Sequence, residues 1–524
     1  MSSQANVKFI YGQNQLGQVA QGLDFVRGLQ LYGVAPGSFA VTATQAVFSI
    51  SDAESKGIVN DYADETKPQA TYLITTKGNT GDTINFSVTE VNPNGLTTSV
   101  NLGTYTTGSG ATTIAAQGAA IAAVINAGTY IHGYTASFLT ATLTITGRAG
   151  LGVSLNTGSP VNVTITGAYV GTLTQPASAT VGVASNKAIW HYLISEFFRA
   201  NPTGKLWINF NSTVSSTYAD IVTLQQNAQG ECRMIGVYDP TSVNASTVDS
   251  NVTLLNNIML TLPQSMQCNI VYAPNIKGVS DLSTLINGQT HTFANPFTSI
   301  CIGQDGKAVG AQLFVTSGAS IPCLGYLLGT SSSAAVSQNI GEVGAFNASN
   351  GIELDTPAFT NGQLYASLAA SLVDQIDSYR YIFLCKYPSF SGTYFNNDYT
   401  YTTQTSDYST ISRNLTIQKS IRGVYNGVLP LLKSRIDLNA DGTISQVTAQ
   451  IFDTAASQPL VQMVKDGDLS SGMIAQGALV SGVVNINPTQ NVLSTNKVAI
   501  GLKLLPQGVA DYIEVGISFT AKLK

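Results

Sequence analysis

The segment of this chain best equipped for chemistry is Asp437, Leu438, Asn439, Ala440, Asp441 and Gly442, where oxygen-bearing side chains alternate and a glycine follows. This spacing is the first half of a calcium loop, but the twelfth position holds Thr448 where such a loop needs a carboxylate gripping the ion with both oxygens. A tight polar turn, with Asp and Asn bonding nearby backbone and Gly taking a positive φ, accounts for the same residues, and we favour it. His132, His191 and His291 stand apart from one another and from any serine or cysteine in a nucleophile motif. A triad assembles in space rather than in sequence, so spacing alone leaves that route open. The carboxylates of Asp374, Asp377 and Asp407 are scattered candidates for acid–base work, with no motif behind them. No phosphate loop is present, and Gly303, Gly306 and Lys307 have the wrong spacing to wrap phosphates. Cys232, Cys268, Cys301, Cys323 and Cys385 are odd in number, far apart and set mostly in apolar segments, which predicts reduced core residues. The expectation is a protein that is not an enzyme and holds no metal or cofactor.

Composition points the same way. A length of 524 residues suits roughly three domains. Only 10% of residues are charged, against roughly 25% in an average soluble protein. Polar but uncharged surface suits contact with other subunits better than solitary solubility. A net charge of −5 without blocks of Lys or Arg argues against a nucleic-acid partner, whose binding needs clustered cations. The first six residues lack a basic start leading into an apolar stretch, and no uninterrupted apolar run reaches the roughly 18 residues of a membrane span. The chain is therefore expected to fold in the cytoplasm, without membrane insertion.

The elements that must position these residues fall into distinct stretches. Between Glu90 and Lys187 the only charged residue is Arg148. Runs rich in Thr, Val and Ile at 83–89, 141–146 and 161–166 read as strands, and the Ala-rich run 115–127 as a helix. These predict an inserted, β-rich, sandwich-like domain at 67–183. A central α/β domain is expected from 21–66 together with 184–395. In it Trp190, Leu193, Ile194, Phe197 and Phe198 form one apolar helix face. Strands are expected at 206–210, 232–238, 267–272, 298–302 and 379–386, with helices at 219–226 and 364–376.

The last part, 396–524, reads as α+β. A long helix carries the stripe Ile417, Ile421, Val424, Tyr425 and Val428, with Lys419 and Arg422 opposite. Pro430 stops it, and 444–464 resumes helical patterning. From 406 to 435, Arg413, Lys419, Arg422, Lys433 and Arg435 face Asp407 alone, which makes either a solvated helix face or a docking face for an acidic partner. The final 28 residues alternate with period two: Val498, Ile500, Leu502 and Leu504, then, after a turn at 506–508, Ile513, Val515, Ile517 and Phe519. A terminal strand with an open edge can lend its backbone to another chain's sheet.

From Tyr379 onward the chain resembles the tail sheath proteins of contractile phage tails and related contractile injection systems. The resemblance is carried by 392–398 (Gly392 to Asp398), by Asp407 and Tyr408 leading into the helix with Arg413, Lys419 and Arg422, by Leu429 and Pro430, by 436–443, and by 497–506 followed by 512–515. It implies a structural subunit of a helical homopolymer of six-fold rings, built around an inner tail tube protein and joined to baseplate and tail terminator proteins, in a virion tail or a non-viral device. It further implies strand donation by Val7, Phe9 and Tyr11 in an N-terminal arm (1–20) and by Ile513, Val515, Ile517 and Phe519 in a C-terminal one. Arg413, Lys419 and Arg422 would touch the inner tube. Contraction would relax a high-energy extended packing, since no fuel site is visible. Another β-rich virion structural protein, such as a tube, capsid or fibre subunit or an adhesin, is the alternative.

Overall fold

The structure is a computed structural model and describes residues 23–92, 96–155, 163–175, 180–287 and 291–511, together with Ile513 and Val515. The chain is a mixed α/β protein. Its centre is a seven-stranded sheet in the order Tyr381–Ile382, Thr298–Cys301, Asn269–Asn275, Met234–Ser242, Arg27–Tyr32, Leu206–Asn211, Thr44–Val47. All neighbours run parallel except the last pair. Parallel strands are covered on both faces by their crossover helices, which is why Arg27–Tyr32 and Asn269–Asn275 are buried at every position. On one face, helices Asn186–Ala200 and Leu324–Ser333 pack Leu193, Phe197, Leu324 and Leu328 against Leu29, Leu31, Ile208 and Phe210. On the other, helices Asp220–Asn227, Ala245–Leu260 and Ala370–Ser378 bring Leu224, Val252, Leu255 and Ile376 onto Ile235, Val237, Ile270 and Tyr272.

The apolar face predicted around Trp190 is realised in full, and Ser185 caps that helix by accepting from the Ala188 N–H. Two expected elements are broken. The helix expected from 364 starts only at Ala370, because Leu364 is tied by a backbone bridge to Ala358. The strand expected over 379–386 divides at Phe383: Tyr381–Ile382 joins the main sheet, while Leu384–Cys385 pairs with Tyr394–Phe395.

Residues 69–174 build a separate core. A four-stranded sheet (Thr135–Leu139, Thr142–Thr146, Gln69–Thr76, Thr172–Thr174) and a three-stranded one (Thr97–Thr106, Thr83–Val91, Val163–Thr166) enclose Tyr72, Ile74, Phe86, Leu102, Leu143 and Ile145. Helix Ile114–Ala127 adds Ile121 and Ile125, and Thr113 caps it through the Ala116 N–H.

Beyond 395 the chain first stays on the body. Helix Ile411–Val428, capped by Thr410, places Ile411 and Leu415 in the core of the main sheet. Its far end puts Val424 into a smaller core with Ala456, Leu460 and Met463 of helix Gln446–Lys465. The stripe read from its sequence is not its buried face: of those five residues only Val424 is buried, and Tyr425 is 48% exposed. Its buried residues, Ile411, Ser412, Asn414, Leu415, Thr416, Gln418, Ser420 and Val424, are spread around the helix rather than along one stripe. Burial of the polar groups among them is tolerated because each makes at least one hydrogen bond, although Gln418 Oε1 has no partner among the described residues. Asn414 Nδ2 donates to Asn269 Oδ1 and to the Pro296 carbonyl, Gln418 donates to Asn414 Oδ1, and the Thr416 and Ser420 hydroxyls donate to carbonyls one turn back. Among the described residues no helix is long and apolar enough to cross a membrane.

Candidate assembly surfaces

The last described strands form a sheet of only two members, Val484–Ile486 and Ile500–Leu502, antiparallel with Val484 opposite Leu502 and Ile486 opposite Ile500. Alternation gives this small sheet one inward face: Val484, Ile486, Ile500 and Leu502 pack on the two small cores, while Asn485 and Gly501 face outward. Neither strand has a second partner among the described residues, so both edges present unpaired N–H and C=O groups. A two-stranded ribbon of this length is marginal on its own.

Each edge opens onto a groove. Beside Leu502 lies one of about 260 Å³, lined by Asp407, Arg413, Ile417, Leu469, Leu504 and Pro506. Beside Val484 lies one of about 700 Å³ along the outer side of helix Gln446–Lys465, with Ser457, Val461 and Lys465 in its wall. The half-exposed Ile417 of the sequence stripe therefore borders an open edge rather than the core.

The tail stays on the body as far as Asp511. Leu469 and Pro506 form a bridge, Gln507 donates to the Leu469 carbonyl, and Asn397 Nδ2 reaches Asp511 at 3.4 Å. Just past this point Ile513 is 81% and Val515 73% exposed. Ile517 and Phe519, and Val7, Phe9 and Tyr11 of the N-terminal arm, lie outside the described residues.

The three cations read as a contact face have unlike surroundings. Lys419 Nζ lies 3.1 Å from Asp24 and 2.6 Å from Asp468, and Arg422 lies 2.9 Å from Asp24. Burial would raise the Asp24 carboxyl, but Lys419 and Arg422 beside it hold it below the usual carboxylate range. Burial, reinforced by Arg233, lowers the Arg422 guanidinium to about 10 against the pull of Asp24. Arg413 makes no ion pair among the described residues; it donates to Ser409 Oγ at 2.9 Å and borders the Leu502 groove. Asp24 and Asp468 were invisible to sequence reasoning, because Asp24 lies 398 positions from Arg422 and no local pattern links them.

Residues 407–524 match the family described as DUF2586, C-terminal domain. No curated protein matches the sequence. Among solved structures, the sheath tail protein of Listeria innocua aligns over 93% of this chain and 92% of its own, at 11% identity and a TM-score of 0.42. A chain of the PVC sheath complex of an extracellular contractile injection system, in its contracted state, aligns over 63% of this chain and 80% of its own, at 12% identity and a TM-score of 0.41. A chain of the anti-feeding prophage baseplate covers the same shares at 11% identity and a TM-score of 0.42.

The residues weighed for chemistry do not converge. Asp441 Oδ1 accepts from the Thr443 N–H and hydroxyl, Asn439 donates to Thr443 Oγ1 and the Ile444 carbonyl, and Gly442 takes φ +79°. These are the hydrogen bonds of a polar turn, with Asp441 Oδ1 taken up by Thr443. Among the described residues no three His, Cys, Asp or Glu side chains are grouped to hold a metal. His191 pairs with Glu54 and His291 with Asp249, each at 2.9 Å. Asp374 and Asp377 line one groove and Asp407 another. All five cysteines are buried and free, with the Cys301 and Cys323 sulfurs 3.8 Å apart.

Proposed function

We propose that this chain is the structural subunit of a contractile tail sheath, polymerising helically around an inner tube and shortening from a high-energy extended packing. The observation that carries this reading is the two-stranded sheet with an apolar inner face and two open, groove-flanked edges, next to a tail whose Ile513 and Val515 are turned to solvent. An edge of this kind is completed by a strand from another molecule, with backbone bonds supplying affinity and alternate side chains filling the groove. Residues 512–524 of one subunit, and 6–11 of another, have the alternation to do so. Backbone ladders of this sort survive while side-chain interfaces are exchanged, so subunits can slide and rotate without falling apart. Arg413 is the cation that this reading leaves available for the tube, because Lys419 and Arg422 already serve Asp24 and Asp468.

Electron microscopy of the purified protein tests the proposal. The full chain should form wide hollow cylinders, and a chain lacking 512–524 should remain a folded monomer with an unchanged circular dichroism spectrum. Cylinders formed by the truncated chain, or thin fibres and closed shells formed by the full one, would overturn it.

A further inference from the structure

The insertion leaves and rejoins the body through two neighbouring segments. Thr66 and Val183 exchange both backbone bonds, at 3.1 and 2.9 Å, and the Gln69 N–H donates to the Thr180 carbonyl at 3.0 Å. A module held by two strands alone would be expected to swing. Here two consecutive carboxylates on the outgoing segment serve opposite sides. Asp64 serves the body: it accepts from the Ser185 hydroxyl at 2.5 Å and from the N–H groups of Asn186 at 2.9 Å and Lys187 at 3.2 Å, at the start of helix Asn186–Ala200. Glu65 serves the insertion: one oxygen accepts from the Gly150 N–H at 2.8 Å and the other from the Gly152 N–H at 2.6 Å.

The same loop then touches the body directly, the Val153 N–H donating to the Thr316 carbonyl at 2.8 Å. Gly152 takes φ +47°, and a Cβ there would fall 2.0 Å from the Thr316 oxygen. A Cβ on Gly182 would fall 2.0 Å from the Gly152 oxygen, so three backbones stack with no room for a side chain. The space left between Tyr62, Glu65, Ala188, Leu313 and Thr316 is about 10 Å³, the lower limit for a single water.

We propose that this seam is a rigid joint, clamped by Glu65, that makes the insertion and the body one mechanical unit. Charge-assisted bonds to both carboxylate oxygens are short and directional, and the tight seam leaves little room for water to take over a broken bond. The joint is a property of the single subunit and does not depend on the sheath reading; if that reading holds, the joint transmits every rotation of the body to the insertion without slack.

Hydrogen exchange on the full-length chain tests the clamp. In Glu65→Ala the amides of 150–153 should exchange at least about ten-fold faster than in the wild type, while those of Ile84, Phe86 and Leu143 in the insertion's own core keep their protection. Glu65→Gln should lie between, and Gly152→Ala, which wedges the seam and displaces a donor to Glu65 while keeping the Glu65 side chain, should reproduce the alanine result. Spin labels at Tyr130→Cys on the insertion and Val41→Cys on the body, 87% and 91% exposed in the native chain, should give a narrow distance distribution that broadens in Glu65→Ala. Unchanged exchange at 150–153, loss of core protection along with it, or a distribution already broad in the unmutated background would each overturn the proposal.

Discussion

The insertion and the C-terminal region are both β-rich, yet they treat their strands in opposite ways. In the insertion every described strand belongs to a sheet of three or four members that close on a core of their own. Near the C-terminus the last two sheets have two members each, and their side chains pack on cores that are only partly covered. Near-absence of charge in the insertion therefore marks a self-contained fold, whereas in the C-terminal region the informative feature is alternation without enough neighbours. A strand that has its face satisfied but not its edge is unfinished by hydrogen-bonding criteria rather than hydrophobic ones.

The largest effect that sharpens this contrast comes from truncating one apolar side chain in each region. Phe86 is fully buried in the insertion, and Phe86→Ala should cost the subunit about 4 kcal/mol locally. Leu502 is half-buried on the open ribbon, and Leu502→Ala should cost the free subunit only about 1 kcal/mol while impairing polymerisation severely. Urea denaturation followed by region-resolved hydrogen exchange reads both. Equal costs would mean that the ribbon is ordinary core and the contrast is mistaken.

Next in size is the ion cluster that ties the root of the N-terminal arm to the long helix. Arg422→Met leaves Asp24 with Lys419 as its one paired cation and should destabilise the subunit by about 2 kcal/mol. The same change at an unpaired surface cation would cost almost nothing, so a negligible shift in the denaturation midpoint would show that the cluster is loose in solution.

Two carboxylates at that helix make opposite predictions about pH. Asp24 is held below its usual value, so its contribution is present above about pH 4 and is lost as pH falls below that. Asp398 accepts from the Ser412 N–H at 2.8 Å at the start of the helix, but its other oxygen has no partner. Burial pushes its carboxyl up to about 7 against its bonds to Ser412 and its own N–H, with Asp511 adding to the rise. The folded state then binds a proton that the unfolded state has released, so stability falls as pH rises from about 4 to 7. Asp398→Asn should lose less stability than the wild type across that interval and Asp24→Asn less below it, measured by thermal unfolding at fixed ionic strength. Identical profiles for wild type and Asp398→Asn would show that Asp398 is not buried at the helix start in solution.

How much of this was legible follows from what kind of signal each part carries. The helix around Trp190, the strands of the main sheet and the Thr-rich strands Thr83–Val91 and Thr142–Thr146 were readable because their residues are periodic. The long helix was misread for the converse reason: most of its buried residues are polar, Asn414 being satisfied by Asn269 and Pro296 more than a hundred residues away, and no local hydropathy pattern encodes such partners. The partners of Lys419 and Arg422 were hidden likewise, since a lone Asp24 beside an apolar arm carries no motif. The alternation at 498–504 was readable as strand, yet only Ile500–Leu502 pairs, because a strand's length is set by its partner and Val484–Ile486 is short.

The smallest expected effect discriminates best between an internal cation and one kept for a partner. Arg413 has a single side-chain hydrogen bond, to Ser409, and no carboxylate among the described residues. Arg413→Ala should therefore change the free subunit's stability by less than about 0.5 kcal/mol, as for an exposed charge. Its cost should surface only in assembly, as a lower salt concentration at which cylinders fall apart, because an interfacial charge pair weakens with ionic strength whereas a backbone ladder does not. Arg413→Glu should exaggerate that shift, and neither substitution should do so in the chain lacking 512–524, which has no assembly to weaken. A salt midpoint unmoved by both substitutions would place Arg413 with Lys419 and Arg422 as a residue spent inside its own subunit, and would leave strand exchange alone to account for cohesion between copies.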